Sequence, residues 1–207
     1  MPRIYFYKLT TDNGGAPCVQ DNLLSLAICK PMIRMRAQVG DLIFGFAANS
    51  LYRDNRLIYA AEISAKVCSG LYYRTPKFTK RGDCIYRWRN GRFERRKDAR
   101  YHVEDHNLTH DLGAYPYYYR AKVLLSDDFR YFGGDGSAEY KSRYSLIKCA
   151  IEHLGQGQRV NLPKQLHDQF LELKRQVWGE SHHKIIGQQS SDPRGTVSQR
   201  GRSSGVV

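Results

Sequence analysis

The feature that most constrains the fold is a short stretch in which an apolar run ends in reactive side chains. Residues 26–28 are apolar, and Cys29, Lys30 and Pro31 follow them directly. Pro31 disfavours the helical conformation at Lys30 and removes one backbone donor. We therefore expect Cys29 and Lys30 at a strand end or bend.

A second apolar run begins a few residues later. Gly40 and Asp41 predict a turn, and residues 41–47 predict a buried strand. The whole stretch thus predicts a strand, a loop and another strand. Polar reactive groups at the end of a core strand are well placed to line a pocket.

The rest of the chain changes from strand periodicity to helical periodicity. Aromatic and β-branched residues predict strands over residues 3–9, 22–28, 57–63 and 121–126. Two apolar stripes then recur at helical spacing: Tyr144, Ile147, Ile151 and Leu154, and Leu166, Phe170, Leu173 and Val177. The sequence predicts a mixed α/β fold of the α+β class with two C-terminal helices.

The length of 207 residues allows one domain of about 150 residues with its own core, together with appendages. We assign residues 1–140 to this domain, including a basic, aromatic insertion over residues 72–105. Residues 141–179 form a helical extension. Residues 180–207 lack periodicity and are rich in Ser, Gln, Gly and Arg, which predicts a disordered tail.

The cysteines are Cys18, Cys29, Cys68, Cys84 and Cys149, an odd number without a CxxC pair. They indicate reduced thiols and neither a disulfide framework nor a zinc ribbon. No apolar run reaches the roughly 18 residues of a membrane helix, and no signal peptide is evident, so a cytoplasmic location is expected. Glycine-rich phosphate loops and common hydrolase motifs are absent, so no cofactor is predicted.

The net charge of +13 predicts a partner rich in phosphate. Residues 180–207 supply only +2 of this charge, from four basic and two acidic residues, so most of it belongs to the folded part. Residues 72–105 contain 11 Lys or Arg and 5 acids, interleaved with aromatic rings. Such a segment either contacts nucleic acid through phosphates and bases or is a solvated insertion that its rings anchor to the core.

His102, His106 and His110 are spaced four residues apart, and Asp111 is adjacent. On a helix the three imidazoles would share a face and could bind a metal. The residues between them are poor helix formers, which favours hydrogen-bonded histidines in a loop. No metal site is predicted.

Four blocks of the sequence, residues 29–34, 39–45, 57–60 and 124–133, resemble the second type of nucleotide-modification-associated domain. The Cys-Lys-Pro block at Cys29 and the Ser-Asp-Asp-Phe block at Ser126 are the most specific. The resemblance covers residues 3–135. It implies small bacterial or phage proteins linked to DNA base modification. It also implies a small twisted β-barrel of the PUA-like type, as in EVE, YTH and ASCH domains, with peripheral helices and an aromatic pocket.

The first functional hypothesis is a protein that recognises a modified base or nucleotide in a DNA modification or phage-defence context. Its partner is a nucleic acid, DNA in the first instance, or a modified nucleotide, and not a membrane. Nucleotide-binding residues are then Asp12, Asn13, Cys29, Lys30, Arg34, Trp88, His102, His110, Asp111, Tyr117, Tyr131 and Phe132. Phosphate contacts are assigned to Lys30, Arg34, Arg53 and Arg56.

Three alternatives remain open. An enzyme could modify or excise a nucleobase with Cys29 as nucleophile, because neighbouring cations favour a thiolate, or with Asp127, Asp128 or Asp111 as a base. A Mg²⁺-dependent nuclease or defence effector could use the same three carboxylates. The adjacent pair Asp127 and Asp128 is more typical of a turn or helix cap. The third alternative is a purely structural subunit.

Overall fold

The computed structural model describes residues 1–104, 106–155 and 157–190. The strands are β1 (Ile4–Leu9), β2 (Cys18–Gln20), β3 (Leu23–Leu26), β4 (Leu42–Ala47), β5 (Leu57–Glu62), β6 (Ala65–Val67), β7 (Tyr86–Arg89), β8 (Arg92–Arg95), β9 (Val123–Ser126), β10 (Asp128–Tyr131) and β11 (Gln158–Arg159). The helices are α1 (Pro31–Arg36), α2 (His106–Leu112), α3 (Tyr140–Arg143), α4 (Ser145–Glu152) and α5 (Lys164–Glu180). Short 3₁₀ turns span Leu71–Tyr73, Pro76–Phe78 and Gly133–Asp135.

The centre of the molecule is a five-stranded sheet with the order β10-β5-β4-β1-β11. Strands β1 and β4 are parallel, and the other pairs are antiparallel. Both faces of this sheet are covered, so β1 and β4 are buried along almost their whole length. A parallel pair of this kind has near-continuous apolar sequence for that reason.

Helices cover one face of the five-stranded sheet. The apolar stripe of α5 places Phe170 with its ring centroid 5.0 Å from those of Phe6 and Phe44. Residues of α4, including Ile147 and Ile151, join the same core. The two predicted C-terminal helices are therefore present and pack on the sheet.

A second sheet, with the order β2-β3-β9-β6, covers the opposite face. Alternate residues of β1 separate the two sides, because Phe6 faces the helices whereas Tyr5 and Tyr7 face the second sheet. This alternation follows from the period of two in a strand.

The predicted basic insertion forms a third layer on the far side of the second sheet. Its 3₁₀ turns and the two-stranded β7–β8 hairpin bury the side chains of Tyr72, Tyr73, Tyr86 and Phe93 against β9. Most of its rings therefore anchor it to the core, as one of the two interpretations held, whereas Trp88 stays partly exposed.

The mixed α/β class is confirmed, but the three sheets do not close into a barrel within residues 1–104, 106–155 and 157–190. The PUA-like barrel stays a prediction. No helix in the described part of the chain is long and apolar enough to cross a membrane.

The structure corrects three local predictions. Helix α1 begins at Pro31, where the sequence predicted a loop, because proline at the first helical position already has a helical φ and needs no donor. His106 and His110 lie on α2 and not in a loop. Within the predicted disordered tail, residues 184–188 pair with the sheet edge instead, where the Tyr131 N–H donates to the Lys184 carbonyl at 2.8 Å. Residues 191–207 of the predicted tail lie outside the described residues.

Candidate functional site

A thiol, an imidazole and a carboxylate lie in line beside the second sheet. The Cys29 Sγ is 3.1 Å from His102 Nε2. On the other side of the ring, His102 Nδ1 is 2.5 Å from Asp111 Oδ2. The order of nucleophile, base and orienting acid is that of catalytic triads, which are recognised by geometry and not by sequence position.

Cys29 is positioned by a sharp turn between β3 and α1. Both Cys29 and Lys30 adopt the left-handed region, with φ of 57° and 42°. Non-glycine residues in this region are strained, and such strain persists where the surrounding structure holds it in place. His102 also has a positive φ, 52°, in the loop between β8 and α2.

Asp111 is fully buried and all its neighbours stabilise a carboxylate. Its Oδ1 accepts the backbone N–H of Cys29 at 2.9 Å, and its Oδ2 accepts the hydroxyl of Tyr86 at 2.8 Å. The Arg34 guanidinium lies 3.6 Å away. The acid is therefore held in one orientation, and it fixes the backbone of Cys29 as well as the ring of His102.

Arg34 is completely buried and ties the segments of the site together. Its Nε donates to the Cys29 carbonyl at 2.7 Å, and its terminal nitrogens donate to the carbonyls of Asp111, Arg120 and Lys122 at 2.8, 3.1 and 2.7 Å. These Arg34 donors all bond to backbone carbonyl groups inside the protein. The position of Arg34 does not fit the phosphate contact that the sequence suggested, and we assign it a positioning role.

The environment of His102 favours the imidazolium form. Burial lowers the pKa of His102, but the hydrogen bonds to Asp111 and Cys29 outweigh burial and raise this pKa to about 10. The His102 side chain is 19% exposed. At neutral pH a protonated imidazole therefore lies 3.1 Å from the Cys29 sulfur.

Lys30 is the cation next to the thiol. Its ammonium lies 4.5 Å from the centre of the Tyr7 ring. Burial lowers the pKa of Lys30, and the charge of Cys29 opposes this shift. A half-buried ammonium beside a nucleophile can stabilise negative charge that develops there.

Asp12 and Tyr131 belong to a separate, enclosed cluster. The Tyr131 hydroxyl donates to both Asp12 oxygens at 2.8 and 2.9 Å, and Ser190 donates to the same carboxylate. Burial raises the pKa of Asp12, although these hydrogen bonds oppose the shift. Both side chains are almost inaccessible, so their position does not fit direct contact with a nucleotide.

The neighbouring predicted residues are also engaged in internal contacts. The Asn13 carboxamide accepts the Gly15 N–H at 3.2 Å. Phe132 packs against the helical core. No contact in the described part of the protein links Asn13 or Phe132 to Cys29.

The remaining predicted contacts lie on the surface. Trp88, His110 and Tyr117 are exposed, and so is Arg53. Arg56 pairs with Asp54 at 2.9 Å and is half-buried.

The carboxylates proposed for a nuclease do not converge. Asp111 is committed to His102, Asp127 is exposed, and Asp128 Oδ1 accepts the Trp178 indole N–H at 2.7 Å. Among the described residues, no group of three or more His, Cys, Asp or Glu is placed to hold a metal ion.

Sequence analysis named Cys29, His102 and Asp111 but did not link them. His102 and Asp111 lie 73 and 82 residues beyond Cys29, and no spacing rule joins them. Tyr86 lies in the predicted basic, aromatic insertion, and the sequence does not distinguish it from the other rings there.

Fold and site together define an α+β protein with a candidate cysteine-nucleophile site. The family model of nucleotide modification associated domain 2 matches residues 1–183, and the chain belongs to this family. This match confirms the resemblance and extends it through α5. The comparisons with curated proteins and with solved structures returned no match.

Proposed function

We propose that this protein is a cysteine-dependent enzyme that acts on an acyl group of a modified nucleotide. The observation that carries the proposal is the in-line contact of Cys29, His102 and Asp111. Membership of a nucleotide-modification-associated family supports the substrate class. The thiol must stay reduced, which fits the cytoplasm.

In the proposed mechanism the Cys29 thiolate attacks the carbonyl carbon of the substrate. A C–S bond forms while the carbonyl π electrons move to oxygen. The tetrahedral intermediate then collapses and expels the leaving group, which takes the proton from His102 Nε2. Water, deprotonated by His102, attacks the thioester carbon next, and the C–S bond breaks to regenerate the thiolate.

Asp111 holds the His102 ring in the orientation that both proton transfers need. The Cys29 N–H already donates to Asp111, so in this arrangement it does not serve the developing oxyanion. We assign that role to the Lys30 ammonium. Replacing Lys30 with Met is expected to lower the acylation rate about 100-fold, at the low end of the range for one lost oxyanion donor, with partial recovery in Lys30→Arg.

The test uses the ester p-nitrophenyl acetate as an acyl donor and intact-protein and peptide mass spectrometry as readout. An acetyl adduct on Cys29 is expected in the wild-type protein, with loss of the adduct in Cys29→Ser and a strongly slowed reaction in His102→Ala. Cys149→Ser is the matched control, because Cys149 is exposed and 3.6 Å from His153 Nδ1. Equal acetylation of Cys29, Cys68 and Cys149, or an unchanged rate in His102→Ala, would refute the enzyme proposal.

A second candidate is a reader of a modified base in DNA, in a DNA modification or phage-defence context. The exposed ring of Tyr117 and the partly exposed ring of Trp88 favour it, because accessible aromatic surface can stack on a base. A PUA-like fold with an aromatic pocket would also suit the recognition of a modified base. A reader keeps its binding in Cys29→Ala and forms no covalent intermediate, which separates the two candidates.

A further inference from the structure

One face of the protein carries exposed aromatic rings together with arginines. We call it the ring-and-arginine face, and its members are Arg74, Trp88, Tyr115, Tyr117, Tyr119 and Arg120. The exposed fractions are 84% for Tyr117, 66% for Tyr115, 51% for Tyr119 and 40% for Trp88. A contiguous set of exposed rings on a folded surface indicates an interaction site.

The rings are held by a buried anchor between two segments of the chain. Tyr118 is buried, and its hydroxyl accepts the backbone N–H of Phe93 on β8 at 3.1 Å. The Tyr118 ring lies 6.1 Å from that of Trp88 and 6.0 Å from that of Tyr115, between centroids. The hairpin and the tyrosine loop, residues 113–122, therefore present their rings side by side.

Arginines extend the flat surfaces of this face. The Arg74 guanidinium lies 4.0 Å from the centre of the Trp88 ring, and that of Arg120 lies 5.2 Å from the Tyr119 ring. Stacked guanidinium groups add positive charge and a second planar surface, both of which suit bases and phosphates.

The surrounding charge is also positive. Arg89 and Arg92 pair directly across the tip of the β7–β8 hairpin and both are exposed, but the strand period of two places them on the side of the ribbon away from Trp88, so they border the ring-and-arginine face without belonging to it. Like charges at opposite positions destabilise a hairpin, and an anion between them removes the repulsion. Residues 71–104 contain 11 Lys or Arg but only four acids, of which Asp83 is buried, Glu94 and Asp98 pair with arginines and Glu104 is exposed, so this region has little negative charge to offset the cations.

The face shares its backbone with the candidate active site. The tyrosine loop begins two residues after Asp111, and Arg34 binds the carbonyls of Arg120 and Lys122 at its other end. A strand that stacks on the loop is thereby placed next to the segment that orients His102.

We infer that the ring-and-arginine face binds single-stranded nucleic acid that carries the nucleotide on which Cys29 acts. This inference rests on the proposed function for its catalytic part and names a polynucleotide as the substrate. Single strands are favoured over duplexes because stacking on protein rings requires free base faces, which neighbouring base pairs cover in a duplex.

The experiment measures fluorescence anisotropy of the full chain with labelled single-stranded DNA and RNA of mixed sequence and with a duplex of equal length, over a salt series. Tighter binding of a single strand than of the duplex is expected. The double variant Tyr117→Ala with Tyr119→Ala is expected to weaken single-strand binding about tenfold or more, because each lost stack weakens binding several-fold. Arg74→Ala with Arg120→Ala, which removes the two arginines of the face, is expected to reduce the slope of log affinity against log salt by about 1.4, as for two lost phosphate contacts.

The matched control is Lys148→Ala with Arg175→Ala, which removes the same charge from the exposed surface of α4 and α5. It should leave the binding of the single strand nearly unchanged. The inference fails if no single strand binds or if the duplex binds as tightly as the single strand. It also fails if the tyrosine variant binds the single strand as tightly as the wild-type protein, or if the control variant binds it clearly more weakly. The reaction of Cys29 with p-nitrophenyl acetate does not involve this face, so binding of a single strand without acetylation would refute only the proposed catalysis, and acetylation without binding would refute only the role of the face.

Discussion

Two buried carboxylates lie in the same layer of the protein with nearly the same set of partners. Asp111 is surrounded by Cys29, Arg34 and Tyr86. Asp83 accepts hydrogen bonds from Ser25 and Tyr72 at 2.6 Å each and has Arg81 at 3.8 Å. The Asp83 group also contains a thiol, that of Cys18, whose pKa its burial raises to about 12.

The difference between the two clusters is one imidazole and access to solvent. His102 stands between Asp111 and Cys29, whereas the Asp83 cluster has no histidine among its described contacts. Cys29 is partly exposed and Cys18 is buried. The buried cluster around Asp83 is therefore structural. The cluster around Asp111 is a candidate for chemistry, because it also contains His102, which can carry a proton and is partly exposed to solvent.

The largest expected contrast is in thiol reactivity. With a pKa near 12, only about one Cys18 in 10⁴ is a thiolate at pH 8, and its side chain is also enclosed. Iodoacetamide at that pH should alkylate Cys29 and leave Cys18 unmodified in the folded protein, as followed by peptide mass spectrometry. Comparable labelling of the two cysteines would remove the distinction between the clusters.

Removal of the arginine should destabilise both clusters. Arg34→Met and Arg81→Met each leave a buried carboxylate without its cation, so we expect losses of about 3–5 kcal/mol in the free energy of unfolding. Urea denaturation measures this loss. Only Arg34→Met should also slow acetylation of Cys29, because Arg34 holds the Cys29 carbonyl. A slower reaction in Arg81→Met would contradict this separation.

The free energy of unfolding should depend on pH because His102 titrates at a different pH in the folded and unfolded protein. The pKa of His102 is about 10 in the folded protein and near 6.5 in an unfolded chain. The protonated ring therefore stabilises the fold fully below about pH 6.5, and this contribution is lost as pH rises through about 10. Denaturation from pH 6 to 10 should show this fall in the wild-type protein and a weaker one in His102→Gln. Parallel curves for the two proteins would contradict it.

The smallest contrast concerns the tyrosine hydroxyls. Tyr86→Phe leaves Asp111 with the His102 and Cys29 donors, so a loss of about 1 kcal/mol in unfolding free energy is expected. Tyr72→Phe removes one of two close hydroxyl donors from Asp83 and should cost about 2 kcal/mol. The order of the two values, measured by urea denaturation, is the test; the reverse order would show that Asp111 is the less well satisfied acid.

Strands β1, β4 and β5 and helix α5 could be predicted because their apolar patterns match a local period. Cys29 could be singled out because Pro31 fixes its surroundings. The arrangement around it could not, since the contact of Cys29 with His102 and Asp111 depends on how β3, α2 and the preceding loop pack. Arg34 shows the same limit: sequence gives its charge, but only the fold shows that the charge is enclosed.

Residues 184–188 pair with the chain where β10 ends, at the edge of the five-stranded sheet. The Ile186 N–H donates to the Tyr131 carbonyl at 2.8 Å, and the Gly134 N–H donates to the Gln188 carbonyl at 2.9 Å. Uncovered edge strands recruit strands from other molecules. Residues 184–188 therefore cover the end of this edge, and we expect a chain shortened after Glu180 to expose it and to aggregate more readily.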